Sequence, residues 1–148
     1  MVTIEVLGEI ASQFAAHKDE LVAYAEGKWT PEEGLEYITL SRAYASSTLR
    51  QMLPEDVSVE FIKVTGELAP HYHSRSDAAV VVLGDTVGAA MVPTEEDHRR
   101  WRFVHNQSLI LIPRGIVHGF RPDEATNKPF YLIAVEHPRI ADDDITYL

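Results

Sequence analysis

The stretch Pro70-His71-Tyr72-His73 sets two imidazoles two residues apart, directly after a proline. Side chains alternate along an extended segment, so His71 and His73 point the same way if the stretch is a strand. One metal ion could then take both, and imidazole is the commonest protein ligand for zinc, iron, copper and nickel. A site needs at least a third ligand. The candidate is His118, which closes Ile112-Pro113-Arg114-Gly115-Ile116-Val117-His118. If both segments are strands of one barrel or sandwich, all three histidines converge in its mouth.

The elements that would position them follow from patterning. Ile10, Phe14, Leu21 and Ala25 recur at helical spacing and predict a first helix that Gly27 would stop. Thr30-Pro31-Glu32-Glu33 carries the start signals of a second: a capping threonine, proline at the first helical position, and a glutamate that completes a capping box. Leu35, Ile38, Ala45, Leu49 and Met52 supply its apolar face and Pro54 ends it. From Val57 the period changes to two. Residues 57–64, 79–83, 87–92, 101–104, 109–112 and 130–135 read as strands separated by Gly, Pro and Asn turns, with 87–92 the expected hairpin partner of 79–83. The acidic stretch Ala141-Asp142-Asp143-Asp144 is expected to be exposed. The expectation is one structural unit, with residues 1–54 a helical extension packed on a β-barrel of residues 55–148.

Composition narrows the function. The chain has 148 residues, 45% of them hydrophobic, which is enough to bury a core. With 13 basic and 23 acidic residues its formal charge is −10, which argues against nucleic acid or an anionic membrane as partner. The basic run His98-Arg99-Arg100-Trp101-Arg102 directly follows Glu95, Glu96 and Asp97 and reads as a solvated turn. Cysteine is absent, so disulfides, thiolate nucleophiles and cysteine-ligated metals are excluded. No apolar run approaches a membrane span and no signal peptide is evident, so the expected location is cytoplasmic.

The strand region resembles the cupin superfamily. The first cupin motif, G-x5-H-x-H-x3,4-E-x6-G, is approximated by Gly66, His71, His73 and Gly84, and the second, P-x-G-x2-H, is matched in full by Pro113, Gly115 and His118. The resemblance covers about residues 57 to 136. It implies a mainly β fold, a single cupin-type antiparallel barrel or double-sheet jelly roll, here preceded by two N-terminal α-helices. One departure stands out. The motif glutamate is missing: Ala78 stands at its place, and Asp77, one methylene shorter, occupies the shorter permitted spacing as a candidate fourth ligand.

Three neutral imidazoles leave metal positions open for water, dioxygen or a chelating substrate, as catalytic sites do. Resemblance to three-histidine cupins implies a non-haem Fe(II) dioxygenase acting on a small anionic or enolisable substrate. A lyase, isomerase or cyclase using Zn, Ni or Mn at the same site is the alternative, and a non-catalytic ligand-binding cupin is another. Tyr131 and Glu60 are the acid–base candidates, with Glu136 in the same position as Glu60: strand parity decides which of them face inward. Arg75 and Arg114 flank the ligand segments and could receive a carboxylate. His98 and His105 have weaker claims on the site, and Tyr72 should alternate outward. The resemblance further implies a homodimer.

Overall fold

The computed structural model describes residues 2–40, 53–84, 88–91, 101–125, 127–141 and 143–147. Two helices open the chain, α1 (Ile4–Ala15) and α2 (Lys18–Ala25). Among the described residues eleven strands follow: β1 (Thr30–Glu32), β2 (Leu35–Thr39), β3 (Ser58–Val64), β4 (Leu68–Tyr72), β5 (Asp77–Leu83), β6 (Gly88–Met91), β7 (Trp101–Val104), β8 (Leu109–Ile112), β9 (His118–Pro122), β10 (Phe130–His137) and β11 (Thr146–Tyr147). They build two antiparallel sheets, one ordered β1-β2-β3-β10-β5-β8 and the other β11-β4-β9-β6-β7. Among the described residues no helix is long and apolar enough to cross a membrane.

Alternation along the central strands divides the interior in two. Val80, Val82, Leu132 and Ala134 face the second sheet and meet Phe120 and Val104 from it. Their neighbours Ala79, Val81, Leu83, Ile133 and Val135 point the other way, into a layer filled by Leu7, Ile10, Phe14 and Leu21 of the helices. Both faces of β5 and β10 are therefore buried, which explains their nearly continuous apolar sequence. Helix α1 is amphipathic at the i, i+3, i+4, i+7 spacing of Leu7, Ile10, Ala11 and Phe14, and Thr3 caps it by accepting from the Val6 amide at 3.3 Å. Removing each large apolar side chain in this layer from water contributes roughly 1.5–3 kcal/mol.

Two expectations are corrected. Among the described residues both helices lie within 4–25, and the start signals at Thr30–Glu33 open a β-hairpin instead of a helix. Glu33-Gly34 is its two-residue turn, closed by the Glu32–Leu35 pair, and Gly34 takes φ +81°, which halts a helix and suits a tight hairpin. A Cβ on Gly34 would lie 2.6 Å from the Glu67 carbonyl oxygen, so the turn is also a close backbone crossing. Pairing of β2 with β3 overrides the local helix signals, and Pro31 is tolerated because β1 is an edge strand. The remainder of that predicted helix, residues 41–52, lies outside the described residues. The second correction concerns β6. It pairs with β7 and β9 in the opposite sheet, because both neighbours of β5 are already taken by β10 and β8.

Candidate metal centre

The histidines meet across a strand pair. His71 of β4 lies directly opposite His118 of β9, and their ring centroids are 4.4 Å apart. His73 follows β4, with its ring 5.0 Å from that of His71 and 5.2 Å from that of His118. One ring nitrogen from each lies within 4.8 Å of the other two, so the group could hold a metal ion. The register shifts between Leu68 and His71, and Gly119 permits the close approach there: a Cβ on it would sit 2.7 Å from the Leu68 carbonyl oxygen.

Hydrogen bonding fixes which nitrogen is free. His71 Nδ1 lies 2.7 Å from the Ala69 carbonyl, His73 Nδ1 2.7 Å from that of Asp144, and His118 Nδ1 3.0 Å from that of Ile116. A carbonyl oxygen only accepts, so each Nδ1 carries the proton and each Nε2 keeps its lone pair. Burial, helped by His73 and opposed by the hydrogen bond to the Ala69 carbonyl, leaves His71 below its usual pKa. Burial, followed by His71 and His73, pushes His118 down to about 3. Neutral, oriented imidazoles are the form that binds a metal, so the donor set fits a divalent transition ion.

Asp77 and Arg114 have other partners. The Arg114 amide donates to Asp77 Oδ1 at 2.9 Å and its guanidinium to Oδ2 at 3.2 Å. The Arg114 side-chain hydrogen bond is the main cause that holds Asp77 below the usual carboxylate value. Asp77 therefore stands outside the histidine group and fastens the loop that leads to His118, where Gly115, at φ +81°, donates its amide to the His73 carbonyl at 2.6 Å. Arg75 is likewise committed, its guanidinium donating to Asp143 at 2.6 Å.

The histidines line one wall of a cavity of about 960 Å³ between the sheets, at the upper end of small-molecule sites. Ser58, Glu60, Ile62, Leu132, Ala134 and Glu136 face it from β3 and β10. Glu136 is buried and accepts from the Ser58 hydroxyl at 2.8 Å. Burial, then the Glu60 charge, raises the Glu136 pKa well above the usual carboxyl value, with the serine bond opposing. Glu60 is raised too, by burial and then by Glu32, against Arg139. The mouth adds Glu32, Glu33, Glu67 and Arg139.

Parity sends Tyr131 outward. Its ring stacks on Phe61 at 5.2 Å and on Trp29 at 6.2 Å, beneath the helices and away from the cavity lining. Tyr147, which the sequence did not single out, lines the cavity with its ring 5.6 Å from that of His71. The acidic stretch is corrected in part: Asp144 is 3% exposed. Its carboxylate accepts from the Ser74 amide at 2.9 Å, the Ser74 hydroxyl at 2.7 Å and the Arg75 amide at 3.0 Å. Strand β11 then pairs with β4 beside His71 and Tyr72. His105 is exposed, and His98 lies outside the described residues.

No known family pattern and no curated relative matches the chain. Solved structures do. KdgF from a Halomonas species is 17% identical, with a TM-score of 0.56 over 78% of this chain and 91% of that one. A Rhodospirillum rubrum protein described as a cupin-2 domain is 15% identical, with a TM-score of 0.56 over 80% and 71%. A Streptomyces nucleoside dehydratase is 13% identical, with a TM-score of 0.55 over 82% and 83%. The chain has the cupin fold.

Proposed function

We propose that the chain is a metal-dependent cupin enzyme that transforms a small polar substrate by proton transfer, as a lyase, isomerase or cyclase. The observation that carries this reading is the placing of Glu136 and Glu60 in the same cavity as the three free Nε2 atoms. A divalent ion held by His71, His73 and His118 would act as a Lewis acid on a substrate oxygen, whether that ion is Zn, Ni, Mn or Fe(II).

The chain's own carboxyls supply the proton chemistry. Glu136, whose pKa burial and then Glu60 raise the more strongly, serves as general acid. Once it has given the proton up, the Ser58 hydroxyl stabilises the carboxylate. Glu60, less raised and opposed by Arg139, serves as general base. Two carboxyls held apart in pKa by their surroundings divide the roles in this way elsewhere. In an elimination Glu60 would take a proton from carbon, and the hydroxyl would leave as water with the proton of Glu136.

The substrate class follows from the walls. Five glutamates, Glu32, Glu33, Glu60, Glu67 and Glu136, line the cavity with Arg139, while Arg75 and Arg114 are bound to Asp143 and Asp77. This lining disfavours an anion and suits a neutral, hydroxyl-bearing molecule, in contrast to the anionic substrate expected from the ligand set alone. A nucleoside dehydratase among the similar structures accords with that choice.

An Fe(II) dioxygenase is the second reading. It is favoured by a ligand group of neutral imidazoles with no carboxylate, since Asp77 is tied to Arg114. Exposed Leu109 and Leu111 on the edge strand β8 would serve a homodimer.

The deciding experiment is turnover of a panel of sugars, nucleosides and hydroxy ketones by metal-loaded protein with and without oxygen. Equal anaerobic rates, lost in Glu136→Gln, are the expected result. Oxygen consumed in proportion to product would select the dioxygenase. Ligand binding without turnover under either condition would overturn both readings in favour of a binding protein.

A further inference from the structure

The three imidazoles are oriented by different means. His71 and His118 each donate to a carbonyl two residues earlier in the chain, Ala69 and Ile116, so their own strands suffice to set them. His73 has no such local partner. Its Nδ1–H meets the carbonyl of Asp144, 71 residues away. That carbonyl is in turn held in place by the Asp144 side chain, which takes three hydrogen bonds from Ser74 and Arg75, the residues directly after His73. The short strand β11 continues the fastening along β4.

We infer that Asp144 is a positioning residue of the metal centre. Its carboxylate clamps the C-terminal segment to the Ser74-Arg75 turn, and its carbonyl thereby keeps the His73 proton on Nδ1 and the Nε2 lone pair facing the other two rings. The clamp closes a ring of contacts through His73, Ser74, Arg75 and Asp144, so loss of the side chain frees the carbonyl and lets the imidazole turn or change tautomer. Partners of this kind typically contribute 10–100-fold to metal affinity. The metal part of the inference rests on the proposed function, whereas the orientation of His73 stands without it.

Two measurements on the full chain test it. Long-range proton–nitrogen NMR of the metal-free protein reads the His73 tautomer, and Co(II) titration followed by its visible absorption, with Zn(II) competition, reads the site. Wild type should show the proton on Nδ1 of His73. Asp144→Ala should mix the two tautomers, weaken Zn(II) binding by roughly 10–100-fold and shift the Co(II) bands. Asp144→Asn, whose remaining oxygen still accepts from Ser74, should recover much of both. Arg75→Ala, which removes a guanidinium paired with Asp143 and at 3.7 Å with Asp144 but keeps the amide that donates to the clamp, should move both readouts far less than Asp144→Ala. If Asp144→Ala fails to fold, Ser74→Ala removes one of the three clamp bonds and should move both readouts the same way, to a smaller extent.

A folded Asp144→Ala variant with the wild-type tautomer and affinity would overturn the inference. So would a Ser74→Ala variant with both unchanged when Asp144→Ala cannot be obtained. Wild type that holds the Nδ1 tautomer, loses it in Asp144→Ala, and binds no metal would uphold the positioning role while refuting the proposed function.

Discussion

Glu136 sits opposite Ser58 in the β10–β3 register and accepts its hydroxyl at 2.8 Å, on the face of the sheet that lines the cavity. This pair places a carboxyl where burial and the nearby Glu60 hold its proton on. Above the ordinary carboxyl value, the unfolded chain has lost that proton and the folded chain keeps it. Stability from this group is therefore fully present at low pH and falls as pH rises through the folded pKa. Glu136→Gln removes the dependence. Unfolding free energies of metal-free protein from denaturant melts should favour the variant increasingly as pH rises above the ordinary carboxyl value, with a limiting slope of about 1.4 kcal/mol per pH unit. A wild-type-minus-variant difference that is flat with pH would show that Glu136 ionises normally.

His118 gives the opposite sign. Its folded pKa of about 3, set by burial and then by the other two rings, lies below the ordinary histidine value. Between the two values the unfolded chain binds a proton that the folded chain refuses, so stability rises with pH across that window and is fully present above it. Acid titration of metal-free wild type should show this limb, and His118→Gln should flatten it. The same variant should lose the single equivalent of metal that elemental analysis is expected to find in wild type.

Gly119→Ala tests the close crossing of β4 and β9. The new methyl group would sit 2.7 Å from the Leu68 carbonyl oxygen, a backbone atom that moves only if the strand does. We expect a loss of roughly 1–3 kcal/mol in stability from the overpacking. Separating the strands also separates His71 from His118, so metal affinity should fall further than in variants of equal stability elsewhere. Denaturant melts and Zn(II) competition on the same preparation make the comparison.

Tyr131→Phe and Asp77→Asn should be quiet at the metal. The Tyr131 ring is stacked beneath the helices, and the Asp77 carboxylate faces Arg114. Metal content and affinity should stay within about twofold of wild type in both. Asp77 and Arg114 form a part-exposed pair, so the Asn variant should change stability by less than about 1 kcal/mol. Loss of the ion in Asp77→Asn would identify a fourth ligand and change the coordination argued above.

The three histidines and the cupin fold were legible because their signals are local: period-two spacing, a complete Pro-x-Gly-x2-His motif, and β-branched runs between turns. What was hidden depended on pairing. In β10 both alternate sets, Phe130, Leu132 and Ala134 against Tyr131, Ile133 and Val135, are apolar, because helices cover one face and a sheet the other. Hydropathy therefore could not say that Glu136 faces inward and Tyr131 outward. The one available signal was the lone charge at Glu136 ending an otherwise apolar set. At Thr30–Glu33 the capping pattern was present but Gly34 was the stronger signal, since its φ of +81° suits a hairpin turn. Asp144 lay in an acidic stretch that resembles any solvated tail, and only its partners near residue 74 distinguish it.

The distances along the chain at which these contacts form also set an order of assembly. His71 and His73 are neighbours from the moment they are joined, but they supply two ligands only. The third arrives when β9 pairs with β4, and the partner of His73 comes from Asp144, 71 residues away. Loops of that length close slowly, and long-range sheet pairing is the slow part of folding in β proteins. The full set of three histidines is therefore expected only late in folding, and an ion that needs all three would be captured there. A metal added to refolding chains should slow their later unfolding while leaving the early rate of collapse untouched.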